Sequence, residues 1–210
     1  MAMPPRCAPA SDPAALAEAA ERLRAGELLV FPTETLYALG CDGLNAAALE
    51  RLRAARGRPA GQGFILLVAD PQMAAALAAE IMPVAHALME RFWPGPLTLI
   101  VRAGDAVPAE ATAGDHTLAL RQSPDPTVAA LIRATGRPLA APSANRAGAP
   151  PPRTAEEAIS SLGAHFSLAL DAGPSPGATP STLVEATGDV PRLVREGAIA
   201  WTTICAALHR

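Results

Sequence analysis

Residues 28–40 read LLVFPTETLYALG, and the fold class first becomes readable in this stretch. The apolar run 28–31 stands between a glycine-containing turn and a proline, which is the pattern of a short buried strand. Thr33, Thr35 and Tyr37 follow it, and in α/β folds the loops at strand ends hold ligands. Two interpretations are open from these residues alone. The loop contacts a ligand, or its threonine hydroxyls cap their own backbone.

Helix and strand signals alternate on both sides of this stretch. Asp12, Asp70 and Asp125 each precede a proline, which is typical of a helix N-cap and first turn, and Gly26 and Gly136 follow predicted helix ends. Helices are predicted over 13–25, 45–56, 70–80, 84–92, 125–135, 154–162 and 200–208. Strands are predicted over 28–31, 64–68, 97–102, 117–121, 139–141, 167–170, 182–185 and 192–195. This alternation predicts an α/β fold.

Length and composition set the broad class. With 210 residues, 50% of them hydrophobic, the chain is expected to form one domain over 1–210 with its core at about 12–200. It shows no apolar stretch long enough to span a bilayer and no signal pattern at its start, so we expect a cytoplasmic protein without a membrane partner. A net charge of -3 gives no general attraction to nucleic acid, so any tRNA binding is expected to be weak or indirect.

Metal and disulfide chemistry are not indicated. The three cysteines are widely scattered without a C-x-x-C pair, which argues against a disulfide framework and against a zinc site. The four histidines lack the spacing of metal ligands, and surface or capping positions are expected for them. They lie at His86, His116, His165 and His209.

Five further segments carry polar or aromatic side chains near predicted strand or helix ends. They are RGRP at 56–59, RFWPGPLT at 91–98, APSANRAG at 141–148, PSTLV at 180–184 and RLVREG at 192–197. Guanidinium groups match phosphate oxygens, although basic residues at a helix C-terminus also complement the helix dipole. The tryptophan segment is interpreted as architectural. Neither a P-loop nor a G-x-S-x-G nucleophile elbow is present.

Taken in this order, the six segments resemble the YrdC-like family of threonylcarbamoyl-AMP synthases in its single-domain form. The family pattern is P-T-[ED]-T-x-Y-x-L-G, K-x-R-P, W-P-G-P-L-T, S-x-N, S-T and R-x-G. The resemblance implies a three-layer α/β fold, in which helices flank a twisted mixed sheet of parallel and antiparallel strands beside a concave basic cleft. It also implies a nucleotidyltransferase that makes threonylcarbamoyl-AMP and pyrophosphate from L-threonine, bicarbonate and ATP.

The resemblance implies roles for individual residues. The expected threonine-binding residues are Thr33, Arg121 and Ser181. The expected ATP-binding residues are Arg56, Arg58, Thr117, Ser143, Asn145 and Arg195, of which Arg56 and Arg58 are also expected to act in catalysis. Mg²⁺ is expected to accompany ATP without a dedicated protein site. The expected downstream partner is a tRNA threonylcarbamoyltransferase.

Arg56 departs from the family pattern, which has lysine at this position. All 17 basic residues of the chain are arginine, so the change is interpreted as drift in residue usage that keeps the charge. Arginine and lysine still differ at a phosphate, because an ammonium is compact and a guanidinium is a planar fork. The site geometry around Arg56 is therefore the expectation most exposed to correction.

Two other functions remain as alternatives. One is a non-catalytic RNA- or ribosome-associated paralogue of the same fold, against which the S-x-N loop and the 3% aromatic content argue. The other is a carbamoyl-adenylate-forming relative that uses carbamoyl phosphate, which usually places this domain within a much longer chain.

Overall fold

The structure is a computed structural model that describes residues 5–57, 59, 61–114, 116–177 and 179–208. Its strands are β1 (Arg6–Pro9), β2 (Leu29–Phe31), β3 (Ala38–Asp42), β4 (Ile65–Leu67), β5 (Ala78–Glu80), β6 (Leu97–Ala103), β7 (Thr117–Arg121), β8 (Leu139–Ala140), β9 (Leu168–Asp171), β10 (Thr182–Glu185) and β11 (Arg192–Arg195). Its α-helices are α1 (Pro13–Arg24), α2 (Ala46–Arg56), α3 (Pro71–Leu77), α4 (Pro83–Phe92), α5 (Pro126–Thr135), α6 (Ala155–Leu162) and α7 (Trp201–Leu208). A 3₁₀ helix spans Gly163–His165.

The strands form one mixed sheet in the order β1-β9-β2-β3-β8-β4-β7-β6-β10-β11, with β5 paired to β6 off this path. The sheet combines parallel pairs, such as β4 with β7 and β6 with β10, with antiparallel pairs, such as β2 with β3 and β6 with β7. The predicted α/β class and the mixed sheet flanked by helices are therefore confirmed.

Buried side chains lie on both faces of the sheet, because neighbouring residues of a strand point to opposite sides. Leu66 in β4 belongs to the larger core with residues of α2, α4 and α6, whereas Leu67 belongs to the smaller core with residues of α1 and α5. The chain thus forms three layers, two of helices and one of strands between them.

The predicted caps are present at the helix starts. The carboxylate of Asp70 accepts from the backbone N–H of Met73, and the carboxylate of Asp125 accepts from that of Thr127. Gly57 adopts a left-handed conformation after α2, at φ 63°, where a glycine is favoured. These local signals explain why most predicted boundaries lie within one residue of the observed ones.

Three strands were not predicted, and one helix was predicted too long. The helix predicted over 70–80 ends at Leu77, and 78–80 form β5 against β6. Residues 38–42, interpreted in part as loop, form β3 between β2 and β8. β1 pairs with β9, which lies more than 150 residues later in the sequence. Alanine-rich or proline-containing segments carry little strand signal of their own, so their pairing partners decide whether they form strands.

In the part of the chain that the structure describes, every helix is too short or too polar to cross a membrane.

Candidate functional site

A cavity of about 350 Å³ opens beside the central strands and is lined by residues from five of the six motif segments. Its wall includes seven residues that the sequence predicted for substrate binding. They are Thr33, Arg56, Thr117, Arg121, Ser143, Ser181 and Arg195. Residues from 33 to 195 meet here because the sheet brings together strands and loops that are distant in sequence.

Backbone hydrogen bonds extend the sheet into the S-x-N loop. The N–H of Leu39 donates to Pro142 O at 3.0 Å, and the N–H of Ala144 donates to Tyr37 O at 2.9 Å. Ala38 and Ser143 form an antiparallel bridge next to these bonds. The loop that carries Ser143 is therefore held against β3, which fixes the backbone position of Ser143 relative to the Thr33–Tyr37 segment.

Thr33 caps its own loop. Its hydroxyl donates to Leu36 O at 2.7 Å and accepts from the N–H groups of Thr35 and Leu36, each at 3.2 Å. The backbone-capping interpretation is thus confirmed for this residue. Thr33 also lies in the cavity wall together with Thr35, so the ligand-loop interpretation stays open for both.

Tyr37 anchors this loop to the end of β9. Its hydroxyl donates to Gly173 O at 2.7 Å and accepts from the N–H of Ala172 at 3.0 Å. Burial raises the pKa of Tyr37 to about 12, so the phenol stays protonated at neutral pH. Since its hydroxyl is occupied by backbone partners, we assign Tyr37 a structural role in the wall.

Arg121 ends β7 and is almost completely buried at the cavity. Its Nη1 donates to Thr35 Oγ1 at 3.3 Å and lies 3.6 Å from Glu34 Oε1. Among the described residues, no acceptor lies within reach of the buried Nε. Burial lowers the pKa of Arg121, the charge of Glu34 opposes this shift, and the nearby charge of Arg195 adds to it. A buried cation with an unused donor is suited to an anionic ligand group.

Glu34 is held behind Arg121 by a short hydrogen bond. The hydroxyl of Ser123 donates to Glu34 Oε2 at 2.5 Å, and Ser123 in turn accepts from the N–H of Asp125 at 3.2 Å. The Glu34 carboxylate thus lies beside Arg121, while the charge of Arg195 also acts on Arg121. The remaining excess of positive charge favours an anion in this part of the cavity.

Arg56 holds the S-x-N loop. Its Nε donates to Asn145 O at 3.0 Å, and its Nη2 donates to Ser143 Oγ at 3.3 Å. The backbone N–H of Ala147 returns a hydrogen bond to Arg56 O at 2.9 Å. Two donors of one guanidinium therefore join α2 to this loop, an arrangement that a single ammonium would reproduce only in part.

Ser181 and Arg195 form the opposite wall with Thr117. Arg195 Nη2 donates to Ser181 O at 3.0 Å, and partial burial lowers the pKa of Arg195. Gly197 permits this packing, because a Cβ there would lie 2.3 Å from Pro180 O and 2.6 Å from Ser181 O. The closing R-x-G motif thus brings its arginine to the serine of the S-T motif.

Two predicted site residues remain, Asn145 and Arg58. Asn145 is buried, and its side-chain amide donates to Arg146 O at 3.0 Å and Ala149 O at 2.7 Å, so it organises its own loop. Its predicted contact with ATP stays a prediction. Arg58 lies outside the described residues.

Several wall or supporting residues were missed by the sequence analysis. Thr98 bonds the side chain of the wall residue Ser181, Glu34 lies 3.6 Å from the wall residue Arg121, and Ser123 holds Glu34 by a hydrogen bond. Arg53 holds the segment after α2. The partners of Thr98, Glu34 and Ser123 are distant in sequence, so no local signal reveals these contacts. Glu34 and Thr98 do lie within motifs of the resemblance, which was the available signal.

The RFWPGPLT segment is architectural at its tryptophan, as predicted. Trp93 packs in the larger core and donates from Nε1 to Leu97 O at 2.8 Å. A Cβ on Gly95 would lie 2.4 Å from Phe92 O, so this turn requires glycine. His86, His116 and His165 are exposed, and His209 lies outside the described residues. The three cysteines are free.

Sequence comparison relates most of the chain to known proteins. A family model described as "Telomere recombination", which covers Sua5, YciO and YrdC, matches residues 21–197. A threonylcarbamoyl-AMP synthase from Bacillus subtilis is 40% identical over 185 residues, which make up 88% of this chain and 54% of that protein.

Structural comparison agrees with this relationship. The crystal structure of P. abyssi Sua5 complexed with L-threonine matches with a TM-score of 0.89 at 36% identity, over 92% of this chain and 57% of that one. E. coli YciO matches with a TM-score of 0.82 at 28% identity, over 93% of this chain and 95% of that one. The chain thus spans little more than half the length of the B. subtilis synthase and of P. abyssi Sua5.

Proposed function

The chain belongs to the family of Sua5, YciO and YrdC, and from this premise we propose that it is an L-threonylcarbamoyladenylate synthase. The proposed reaction joins L-threonine, bicarbonate and ATP and releases pyrophosphate. The observation that carries the proposal is the convergence of seven predicted site residues, three of them arginines, on one cavity. The name and the bound threonine of the similar proteins support the choice of substrates.

The threonine end of the cavity is assigned to Arg121, Ser181 and Thr33. The unused donor of Arg121 takes the amino-acid carboxylate, and the positive charge that Glu34 leaves uncompensated favours a single negative group there. Ser181 offers a hydroxyl that can donate or accept. The site therefore selects a neutral amino acid through its carboxylate and a polar side chain.

The nucleotide end is assigned to Arg56, Ser143, Thr117 and Arg195, with Arg58 and Asn145 as further predicted contacts. The threonine amine attacks bicarbonate to form a carbamate with loss of water, and the carbamate oxygen then attacks the α-phosphorus of ATP and expels pyrophosphate. Charge accumulates on the phosphate oxygens in this step. The arginines neutralise that charge and align the two anions, so no covalent enzyme intermediate is required.

Mg²⁺ is proposed to enter with ATP. Within the described residues, no group of three His, Cys, Asp or Glu side chains could hold a metal ion. The donor set of the cavity wall is hydroxyls and guanidiniums, which fits an ion held by the nucleotide phosphates and water. When bound, Mg²⁺ would supply charge neutralisation at the phosphates.

The product is a reactive mixed anhydride, so an acceptor must take it up soon after release. We propose that a tRNA threonylcarbamoyltransferase in the cytoplasm takes up the adenylate. We also propose little or no direct contact between this chain and tRNA. The net charge of -3 supports the second part, because nucleic-acid binding draws on clustered positive charge.

An omission assay tests the proposed function. The chain is incubated with ATP, Mg²⁺, L-threonine and bicarbonate, and each component is left out in turn while pyrophosphate and the adenylate product are measured. We expect both products only when all four are present. Pyrophosphate release that is indifferent to threonine, or that requires carbamoyl phosphate, would reject the proposal. Tight and steeply salt-dependent RNA binding without pyrophosphate release would favour the RNA-associated alternative.

A further inference from the structure

Thr98, the last residue of the RFWPGPLT segment, does not line the substrate cavity but contacts a residue that does. Thr98 is completely buried in β6, and its Oγ1 lies 2.7 Å from Ser181 Oγ. Either hydroxyl can be the donor. Ser181 lies in the cavity wall and Thr98 does not, so Thr98 is placed directly behind a residue assigned to threonine.

Both backbones around this pair are fixed. β6 and β10 run parallel, with Leu97 opposite Thr182 and Thr98 opposite Leu183. The N–H of Thr182 donates to Pro96 O at 2.9 Å, and Arg195 holds Ser181 O. The position of the Ser181 Cα is thus set by main-chain bonds. What the main chain leaves undetermined is the rotamer of the Ser181 side chain, because a serine has three staggered positions.

The hydroxyl of Thr98 limits that choice. Among the residues that the structure describes, Ser181 Oγ is the hydrogen-bond partner given for Thr98 Oγ1, and the reverse also holds. A hydroxyl has one donor and two acceptor positions, so a single mutual bond leaves each of the two hydroxyls able to form further hydrogen bonds. Since Thr98 has no access to the cavity, only Ser181 can use its remaining capacity on a ligand.

We propose that Thr98 is a positioning residue for substrate binding, which holds the Ser181 hydroxyl in one orientation toward the threonine end of the cavity. This inference rests on the proposed function and assigns a task to a motif that the sequence analysis interpreted as purely architectural. Thr98 does not contact the substrate. Its effect passes through Ser181, which makes the proposal separable from a role in packing.

Thr98→Val is the variant that tests this proposal. Valine has nearly the same shape as threonine, so packing in β6 is kept while the hydroxyl is lost. We expect the KM for L-threonine to rise about tenfold, corresponding to the loss of one oriented hydrogen bond, with the KM for ATP within about twofold of wild type. Thr98→Ser restores the hydroxyl and is expected to return the KM for threonine toward wild type.

A double-mutant cycle with Ser181→Ala identifies the route of the effect. If Thr98 acts through Ser181, then Thr98→Val changes the KM for threonine in the wild-type background and has no further effect in the Ser181→Ala background. Thr127→Val is the matched control, because Thr127 is also a buried threonine and does not line the cavity. We expect its KM values to equal those of wild type.

Three results would overturn the inference. They are an unchanged KM for threonine in Thr98→Val, an equal rise in the KM for ATP, and full additivity with Ser181→Ala. Thermal unfolding of each variant identifies those that do not fold. If Thr98→Val does not fold, the KM for threonine of Thr98→Ser is compared with that of Ser181→Ala instead. Failure of the proposed function is seen separately, because wild-type protein would then release no threonine-dependent pyrophosphate. In that case calorimetric titration of L-threonine into the same variants decides on Thr98.

Discussion

Arg53 near the end of α2 and Arg121 at the end of β7 are both buried guanidinium groups, 7% and 5% exposed, yet their donors go to different places. Arg53 Nη1 donates to Pro59 O at 3.1 Å and Gln62 O at 2.9 Å, and its Nη2 donates to Glu110 O at 2.8 Å. Its guanidinium carbon also lies 5.0 Å from the centre of the Phe64 ring. Its Nε donates to Glu50 Oε1 at 3.2 Å within α2. The guanidinium of Arg53 thus holds α2 to other segments of the chain.

Arg121 is only partly satisfied by the protein. Its single hydrogen bond given by the described residues is a long one to Thr35, and Glu34 lies near it without bonding. Backbone carbonyls cannot be exchanged for a ligand without unfolding a loop, whereas an unused donor at a cavity can bind one at once. Burial alone therefore does not identify a functional arginine. The partners of its N–H donors do.

Arg121→Lys tests the functional role of Arg121. Lysine keeps the charge next to Glu34 but loses the planar fork that pairs with a carboxylate. We expect kcat/KM for threonine to fall about 300-fold, or ~3.4 kcal/mol, with the midpoint of thermal unfolding nearly unchanged. Steady-state pyrophosphate release measures the first quantity. A variant with wild-type kcat/KM would remove Arg121 from the threonine site.

Arg56 lies between the two extremes, because it holds a loop and also lines the cavity. Arg56→Ala is expected to lose about 100-fold in kcat/KM for ATP, since both the charge and the support of the S-x-N loop are removed. Arg56→Lys keeps the charge and is expected to retain synthesis within about tenfold of wild type. The same pyrophosphate assay at varied ATP checks both variants. Unchanged turnover in the alanine variant would exclude Arg56 from the site.

Arg53→Met tests the structural role of Arg53. Methionine keeps much of the apolar stem, while three backbone carbonyls lose a charged donor, so we expect the free energy of unfolding to fall by about 2 kcal/mol. Urea denaturation followed by circular dichroism measures this loss. At temperatures where the variant is folded, kcat/KM for both substrates should stay within about threefold of wild type. A large catalytic defect in fully folded protein would contradict the assignment of Arg53 as structural.

Tyr37→Phe gives the smallest expected effect and adds a pH signature. The N–H of Ala172 and the carbonyl of Gly173 lose their partner, which is expected to cost about 1 kcal/mol of stability at neutral pH. Because the pKa of Tyr37 is raised to about 12 in the folded state, wild type loses the phenol's contribution as pH rises from about 10, the ordinary value, through 12.

The variant lacks this loss, so the stability difference between Tyr37→Phe and wild type should narrow across that alkaline window. Urea denaturation of the two proteins at a series of pH values measures the difference. A gap that stays constant from pH 9 to 12, or a fall in kcat at neutral pH, would argue that the phenol is not the buried structural group described here.

Much of the site could be anticipated only through motifs. Thr33, Ser143 and Ser181 were predicted from their places in the motifs, and all three lie in the cavity wall. Asn145 was predicted with the same reasoning, yet its amide turns into its own loop, because two carbonyls lie within reach there. A motif reports that a residue type is needed at a position and says nothing of the direction in which the side chain bonds.

Local sequence signals were sufficient to predict the helix starts, most of the buried strands and the α/β class. Aspartate caps, first-turn prolines and apolar periodicity act over a few neighbouring residues, so they can be read without knowing the rest of the chain. The tertiary structure alone shows that 38–42 and 78–80 are strands, and it shows which buried arginine closes a loop and which keeps an unused donor at the cavity. Such outcomes depend on contacts like that of Thr98 with Ser181, 83 residues apart, which exist only after the strands have paired.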